Sequence, residues 1–244
     1  MNQHHFNGLL SSAATNARQR GFSLIEIALV LVIVGLALGG IMSAIGPQLE
    51  NKKISDTQKT LEETKEALIG YAIINKRLPG PATIASNGLA VACANEVACT
   101  GLIPWATLGV PKLDAWAKVI RYSVTPAYVN ADIPSSPPAA TKTIRTRTGG
   151  VLVDEPPTVP VVVFSQGNAN FGTTDSGGTI VNGAAPNNLD EISNNTGGTG
   201  GAAGTIFIRR APSGAAVAGG EFDDLVVTLT NTILIARMAK AGAF

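Results

Sequence analysis

Hydrophobic and polar positions change rhythm three times along this chain. The first 21 residues, MNQHHFNGLLSSAATNARQRG, are polar, contain no acid and place Arg18 and Arg20 at their end. From Phe22 to Ile45 only Ser23, Glu26 and Ser43 interrupt apolar or small side chains. As a helix that stretch of about 24 residues reaches roughly 36 Å, enough to cross the hydrocarbon core of a bilayer. Beyond Pro47 the apolar residues recur at helical spacing: Ile54, Leu61 and Leu68 lie seven apart, and Tyr71 and Ala72 extend the stripe. Lys52, Lys53, Asp56, Lys59, Glu62, Glu63, Lys65 and Glu66 fill the other faces at spacings that allow pairing along a solvated surface. The pattern predicts an amphipathic helix over 47–78 that continues the apolar one outward and is stopped by Leu78, Pro79, Gly80 and Pro81. The remainder, 79–244, reads as short strands at 118–124, 142–148, 159–165, 204–210 and 224–230, separated by turn formers. Together these predict an α+β chain, with a long N-terminal helix packed through its outer half on one C-terminal antiparallel sheet.

Charge and residue chemistry narrow the classes of function. Eighteen Lys and Arg stand against 17 Asp and Glu, and aromatics make up 5% of the chain, so neither a basic groove nor a stacking platform for nucleic acid is predicted. The only histidines are His4 and His5, ahead of the apolar run, which removes Ser-His-Asp and Cys-His catalysis and histidine-bound metals from the main body. No phosphate-cradling G-x-x-x-x-G-K-[ST] or G-x-G-x-x-G register occurs. An enzyme tethered by a signal anchor would be left with carboxylate-only chemistry. Arg18 and Arg20 keep the N-terminal end in the cytoplasm by the positive-inside rule, so 79–244 is translocated. A cleaved signal peptide with a small-x-small site at Ala37 and Gly39 competes with this reading, but its apolar region would be shorter and free of an acid.

Glu26 is the residue that needs explaining. A carboxylate inside a membrane span costs on the order of 3 kcal/mol, so it marks function and calls for a partner. Its bland alternative is a protonated carboxyl near the headgroups. Gly35 and Gly39 form a G-x-x-x-G face, with Gly40 and Gly46 adding small surface suited to close helix approach in lipid. Pro47 removes one helical hydrogen bond and predicts a kink or local unwinding near 43–47. Cys93 and Cys99 are the only cysteines; after translocation they would meet an oxidising compartment, where a short-loop disulfide is preferred to two buried free thiols.

The stretch RGFSLIE, with basic residues before it and an apolar run after it, resembles the leader and N-terminal segment of type IV prepilins and type II secretion pseudopilins. The resemblance implies a cytoplasmic leader over 1–21, cut by a prepilin peptidase between Gly21 and Phe22, with methylation of the new amino group on Phe22. It also implies a helix over 22–46 that serves as membrane anchor and filament core, with Glu26, Gly35, Gly39 and Pro47 as assembly residues. The precursor would be a single-pass bacterial inner-membrane protein, later placed in a periplasmic pseudopilus or a surface pilus. Its partners would be other pilin or pseudopilin subunits, an inner-membrane platform protein, an assembly ATPase and membrane lipid. A second segment, LDAWAKVIRYSVTP at 113–126, is similar to the Asp-Pro-Trp-Gly region of major pseudopilins, with Ala115 and Ala117 in place of the proline and glycine. Major pseudopilins bind calcium through loop oxygens, which makes Asp175, Asp190, Glu191, Asp223 and Asp224 the calcium candidates here; their alternative is solvated loop acids. The long head points to a minor or unusual subunit. A tip-displayed binding module, adhesin or DNA-capturing, is the alternative function, with 165–203 as its surface.

Overall fold

A computed structural model of the protein describes residues 21–150, 159–182, 188–197 and 203–244, and within the first helix it leaves the side chains of 38–45 undescribed. Residues 1–20 of the predicted leader and the surroundings of Gly39 therefore lie outside the described residues. Helix α1, Leu24–Asn75, is continuous through Pro47, and the chain divides into two compact units, Met1–Gln48 and Leu49–Phe244. In the first unit the helix is apolar and bare: Leu24, Ile25, Leu29, Leu31, Ile33 and Leu36 are all exposed, on every face of the helix. Among the described residues no helix is long and apolar enough to cross a membrane; the described side chains of the apolar run end at Ala37.

The second unit begins with the outer part of α1. Its buried stripe is Thr57, Leu61, Thr64, Leu68, Ile69 and Ala72. The two threonines do not disturb it, because Thr64 Oγ1 donates back to Thr60 O at 2.8 Å and Thr57 Oγ1 accepts from Ala115 N at 3.1 Å. The helix stops three residues before the predicted end: Lys76 turns into the left-handed region at φ 58°, so Leu78 and the prolines belong to the connection.

Among the described residues twelve further elements follow: β1 (Thr100–Leu102), α2 (Trp105–Leu108), β2 (Arg121–Val124), α3 (Ala127–Asn130), β3 (Thr143–Arg145), β4 (Val161–Ser165), β5 (Asn170–Thr173), β6 (Thr179–Asn182), α4 (Leu189–Thr196), β7 (Ile206–Ile208), β8 (Leu225–Leu229) and α5 (Asn231–Lys240). Strands β1, β2, β4 and β8 form an antiparallel sheet in that order. The predicted single sheet needs correcting: β3 and β7 pair with each other, in parallel, and β5 with β6 makes a separate antiparallel hairpin.

The reason is that the central sheet is covered on both faces. Tyr122, Val124, Val161, Val163, Val227 and Leu229 join Leu61 and Leu68 of α1 and Leu234 and Met238 of α5 in one core. Val162, Phe164 and Val226 point the other way and meet Ile144 of β3 and Phe207 of β7 in a second. Every residue of β4 is buried, which is why VVVFS reads as an unbroken apolar run instead of an alternating one. Tyr122 is fully buried and its hydroxyl donates to Pro79 O at 2.9 Å, so this buried polar atom is satisfied. Cys93 and Cys99 form a disulfide with Cα atoms 5.1 Å apart, and both sit in the larger core.

The turn before β2 carries strain. Asp114 Oδ1 accepts from Trp116 N and Lys118 N, both at 2.9 Å, and the turn so closed holds Ala117, an exposed residue, at φ 61°. That conformation costs an L-residue with a Cβ about 1–2 kcal/mol, while glycine loses about 0.4–1 kcal/mol through unfolded-state entropy. Ala117→Gly is therefore expected to stabilise the protein by roughly 0.5–1 kcal/mol, seen as a rise of about 2 °C in thermal midpoint. An unchanged or lower midpoint would mean that the turn carries no such strain.

Candidate functional site

Two places hold the residues singled out from sequence. The first is the start of α1. Gly21, Phe22 and Ser23 precede the helix, all exposed, and a Cβ built on Gly21 meets nothing within 4 Å. Ser23 caps the helix: its Oγ accepts from Glu26 N at 3.2 Å, and its carbonyl accepts from Glu26 N at 3.0 Å and Ile27 N at 3.2 Å. Ser-x-x-Glu at a helix start is the capping-box signature, and its acid also lies in the first turn, where the helix dipole favours negative charge. Glu26 thus stands at a position where a helix start favours an acid, which the apolar run around it conceals. Farther along, Gly35 and Gly46 present open backbone, with nothing near a Cβ built on either.

The second place is an acidic cluster beside the central sheet. Carboxylate oxygens of Glu191, Asp223 and Asp224 lie within 4.8 Å of one another, so three of the five calcium candidates are brought together. The other two are elsewhere. Asp190, fully buried, accepts from Arg210 Nε at 2.7 Å and from Thr148 N at 2.7 Å. Asp175 is mostly exposed and pairs with Lys112 Nζ at 2.6 Å. Helix α4 brings in Glu191, and the residues leading into β8 bring in Asp223 and Asp224.

The electrostatics of the cluster follow from burial. Desolvation pushes the Glu191 carboxyl up to about 7, against the help it draws from Asn170 Nδ2, 2.5 Å away. Burial also raises Asp224, well above the ordinary range, although Asn194 Nδ2 donates to it at 2.8 Å. Asp223 is raised for the same reason. Its Oδ2 accepts from Asn168 N and Ala169 N, while its Oδ1 is buried without a hydrogen-bond partner. A residue that sequence reasoning passed over faces these acids. Lys118, 5% exposed, is lowered by burial and raised by Asp223, Asp114, Asp224 and Glu191 in turn. Its signal in the sequence was position alone: a lysine one residue before the apolar pair that opens into β2.

A calcium ion does not fit this arrangement. The ion would draw on carboxylates and loop carbonyls. Here the carbonyls of Gln166, Ala169 and Phe171 are taken by the Lys118 ammonium, and Glu191 Oε2, Asp223 Oδ2 and Asp224 Oδ2 already accept from amides. Of the five calcium candidates, Glu191, Asp223 and Asp224 are thus grouped, while Asp175 and Asp190 lie outside the cluster.

The family model of the prokaryotic N-terminal methylation motif matches residues 16–42. No curated protein and no solved structure matches the chain. Residues 16–42 thus carry the prepilin-type cleavage and methylation signal, which supports a type IV pilin-like or pseudopilin-like precursor.

Proposed function

We propose that the protein is a structural subunit of a type IV pilus or type II secretion filament, made as an inner-membrane precursor whose leader, 1–21, is cut off in the cytoplasm. The observation that carries this reading is the bare apolar helix that begins at the matched motif. From Phe22 to Leu36 its large side chains are exposed all round, and a helix of that kind is stable only when lipid or other apolar helices surround it. Before assembly the surrounding medium is the bilayer, spanned by 22–46 with 79–244 outside. Afterwards it is a bundle of the same helices from neighbouring subunits. The open backbone at Gly35, which by sequence makes a G-x-x-x-G spacing with Gly39, suits close approach within such a bundle. Pro47, near the end of the first compact unit, lacks one helical N–H donor and is the place for the helix to adapt to its packing.

Cleavage before Phe22 creates an α-amino cation close to the layer of Glu26. In a filament the amine of one subunit meets the carboxylate of the next, an attraction of about 4 kcal/mol at roughly 4 Å and an effective dielectric near 20. Intact-mass and terminal-peptide spectrometry on sheared surface fibres and on periplasmic extracts tests the assignment. The expected mature chain begins at Phe22 with a methylated amine and is recovered with other subunits in a fibre. An intact Met1, or a terminus near residue 40, in mature material would overturn it.

A further inference from the structure

The turn between β4 and β5 is gripped from both sides of its backbone. On the carbonyl side, Lys118 Nζ donates to Gln166 O at 3.1 Å, Ala169 O at 2.7 Å and Phe171 O at 2.7 Å. That uses all three N–H bonds of the ammonium. On the amide side, Asp223 Oδ2 accepts from Asn168 N at 2.8 Å and Ala169 N at 2.7 Å. The space is shaped for the lysine stem as well: a Cβ on Gly172 would stand 2.7 Å from Lys118 Cδ and 3.1 Å from its Cε. Gly167, at φ 54°, allows Asp223 to close in, since a Cβ there would stand 2.3 Å from Oδ1. Asp223, Asp114, Asp224 and Glu191 all act on the same ammonium by charge.

We propose that Lys118 Nζ stands where a divalent cation would otherwise bind, so that the head orders its 166–171 turn and acidic cluster with a cation built into the chain and needs no calcium. Three carbonyl oxygens with carboxylates behind them are the ligand set of an oxygen-seeking ion. The ammonium meets that set at hydrogen-bond distances and supplies a single positive charge. A calcium ion entering the same cage would face the ammonium at close range, where like charges repel strongly. The β4–β5 turn leads directly into β5 and, through the β5–β6 hairpin, towards α4, so the order of this insertion depends on Lys118 and not on the ion content of the compartment.

The test uses the full chain in detergent micelles and is independent of filament assembly. The parent is expected to keep its thermal midpoint and its amide exchange at 166–173 whether chelator or millimolar calcium is present. Lys118→Ala in chelator is expected to exchange those amides at least roughly tenfold faster, because their opening no longer breaks three bonds to the ammonium. It should melt lower than the parent and recover part of that loss when calcium is added, because the emptied cage now offers carbonyls and carboxylates to the ion. A parent destabilised by chelator and restored by calcium would overturn the proposal. So would a folded Lys118→Ala whose midpoint calcium leaves unmoved, or whose turn exchanges at the parental rate. Should Lys118→Ala fail to fold, the chelator comparison on the parent decides by itself.

Discussion

Replacing Gly21 with valine is expected to leave the chain as a full-length precursor, with mature protein reduced to a trace and fibres lacking the subunit. Gly21 is exposed, and a Cβ built on it meets no atom of this chain within 4 Å, so the substitution disturbs no packing among the described residues. Its effect must arise where another protein reads the junction. A peptidase that cuts after glycine has to bring its catalytic groups to the Gly21 carbonyl, and a branched side chain there obstructs the approach. A misplacement of about 1 Å at a reacting centre is enough to lower a rate by roughly a hundredfold. Pulse labelling followed by gel separation of precursor and mature forms measures it. The head should retain its parental thermal midpoint, which separates a processing defect from misfolding. Normal cleavage of Gly21→Val would mean that the junction lies elsewhere, and the terminus at Phe22 would have to be abandoned.

The parts of the fold that could be read from sequence were those whose periodicity matched their burial. The outer α1 stripe through Leu61, Leu68 and Ala72 was legible, as was β4, where VVVFS is apolar because both of its faces are covered. Elements that bury polar side chains were not. Helix α4 turns Asp190, Glu191, Ser193 and Asn194 inward and leaves Leu189 half exposed, the reverse of an amphipathic helix. The inversion has a cause: Asn194 donates to Ile208 O and accepts from Ile208 N along the edge of β7, while Asp190 holds Arg210. Its side chains stand in for a neighbouring strand. The β5–β6 hairpin was hidden by glycine and asparagine, although Gly177 at φ 92° is the turn residue such a hairpin needs. Helix α5 had a usable signal, Thr230 as cap followed by Leu234 and Met238 on one face, in a segment for which no helix was predicted.

The candidate sites divide the same way. The methylation motif over 16–42, within which Gly21, Phe22 and Glu26 lie, was legible because it is local in sequence. The grouping of Glu191 with Asp223 and Asp224 was half legible, since loop acids can be named from sequence but their convergence depends on α4 and β8 meeting. Lys118 was not legible at all. A lone lysine in an apolar context reads as a strand-edge charge until the three carbonyls around it are seen.

Glu26→Gln should be inserted and cleaved like the parent, yet enter fibres at no more than about a tenth of the parental amount. Two roles compete for this residue. One is local: beyond the Ser23 Oγ bond to the Glu26 backbone N–H, which any residue keeps, a Glu or Gln side chain at this position of a Ser-x-x-Glu start can reach back to the Ser23 N–H, worth about 1 kcal/mol and retained by glutamine. The other is the pairing of its charge with a neighbour's terminal amine, worth about 4 kcal/mol and lost with the charge. At about 1.4 kcal/mol per tenfold, the second loss exceeds the first by roughly two orders of magnitude in an assembly equilibrium. Glu26→Ala removes both and also removes an insertion cost of about 3 kcal/mol, so its precursor should reach the membrane at least as well as the parent's. Quantifying the subunit in sheared fibres against its level in membranes, for parent, Glu26→Gln and Glu26→Ala, separates the two roles. If only alanine depletes the fibres, the helix cap is what matters and the charge pairing is wrong. If glutamine depletes them as severely as alanine while processing stays normal, the charge carries the assembly role, and Ser23→Ala, which leaves the carboxylate in place, should enter fibres at close to the parental level.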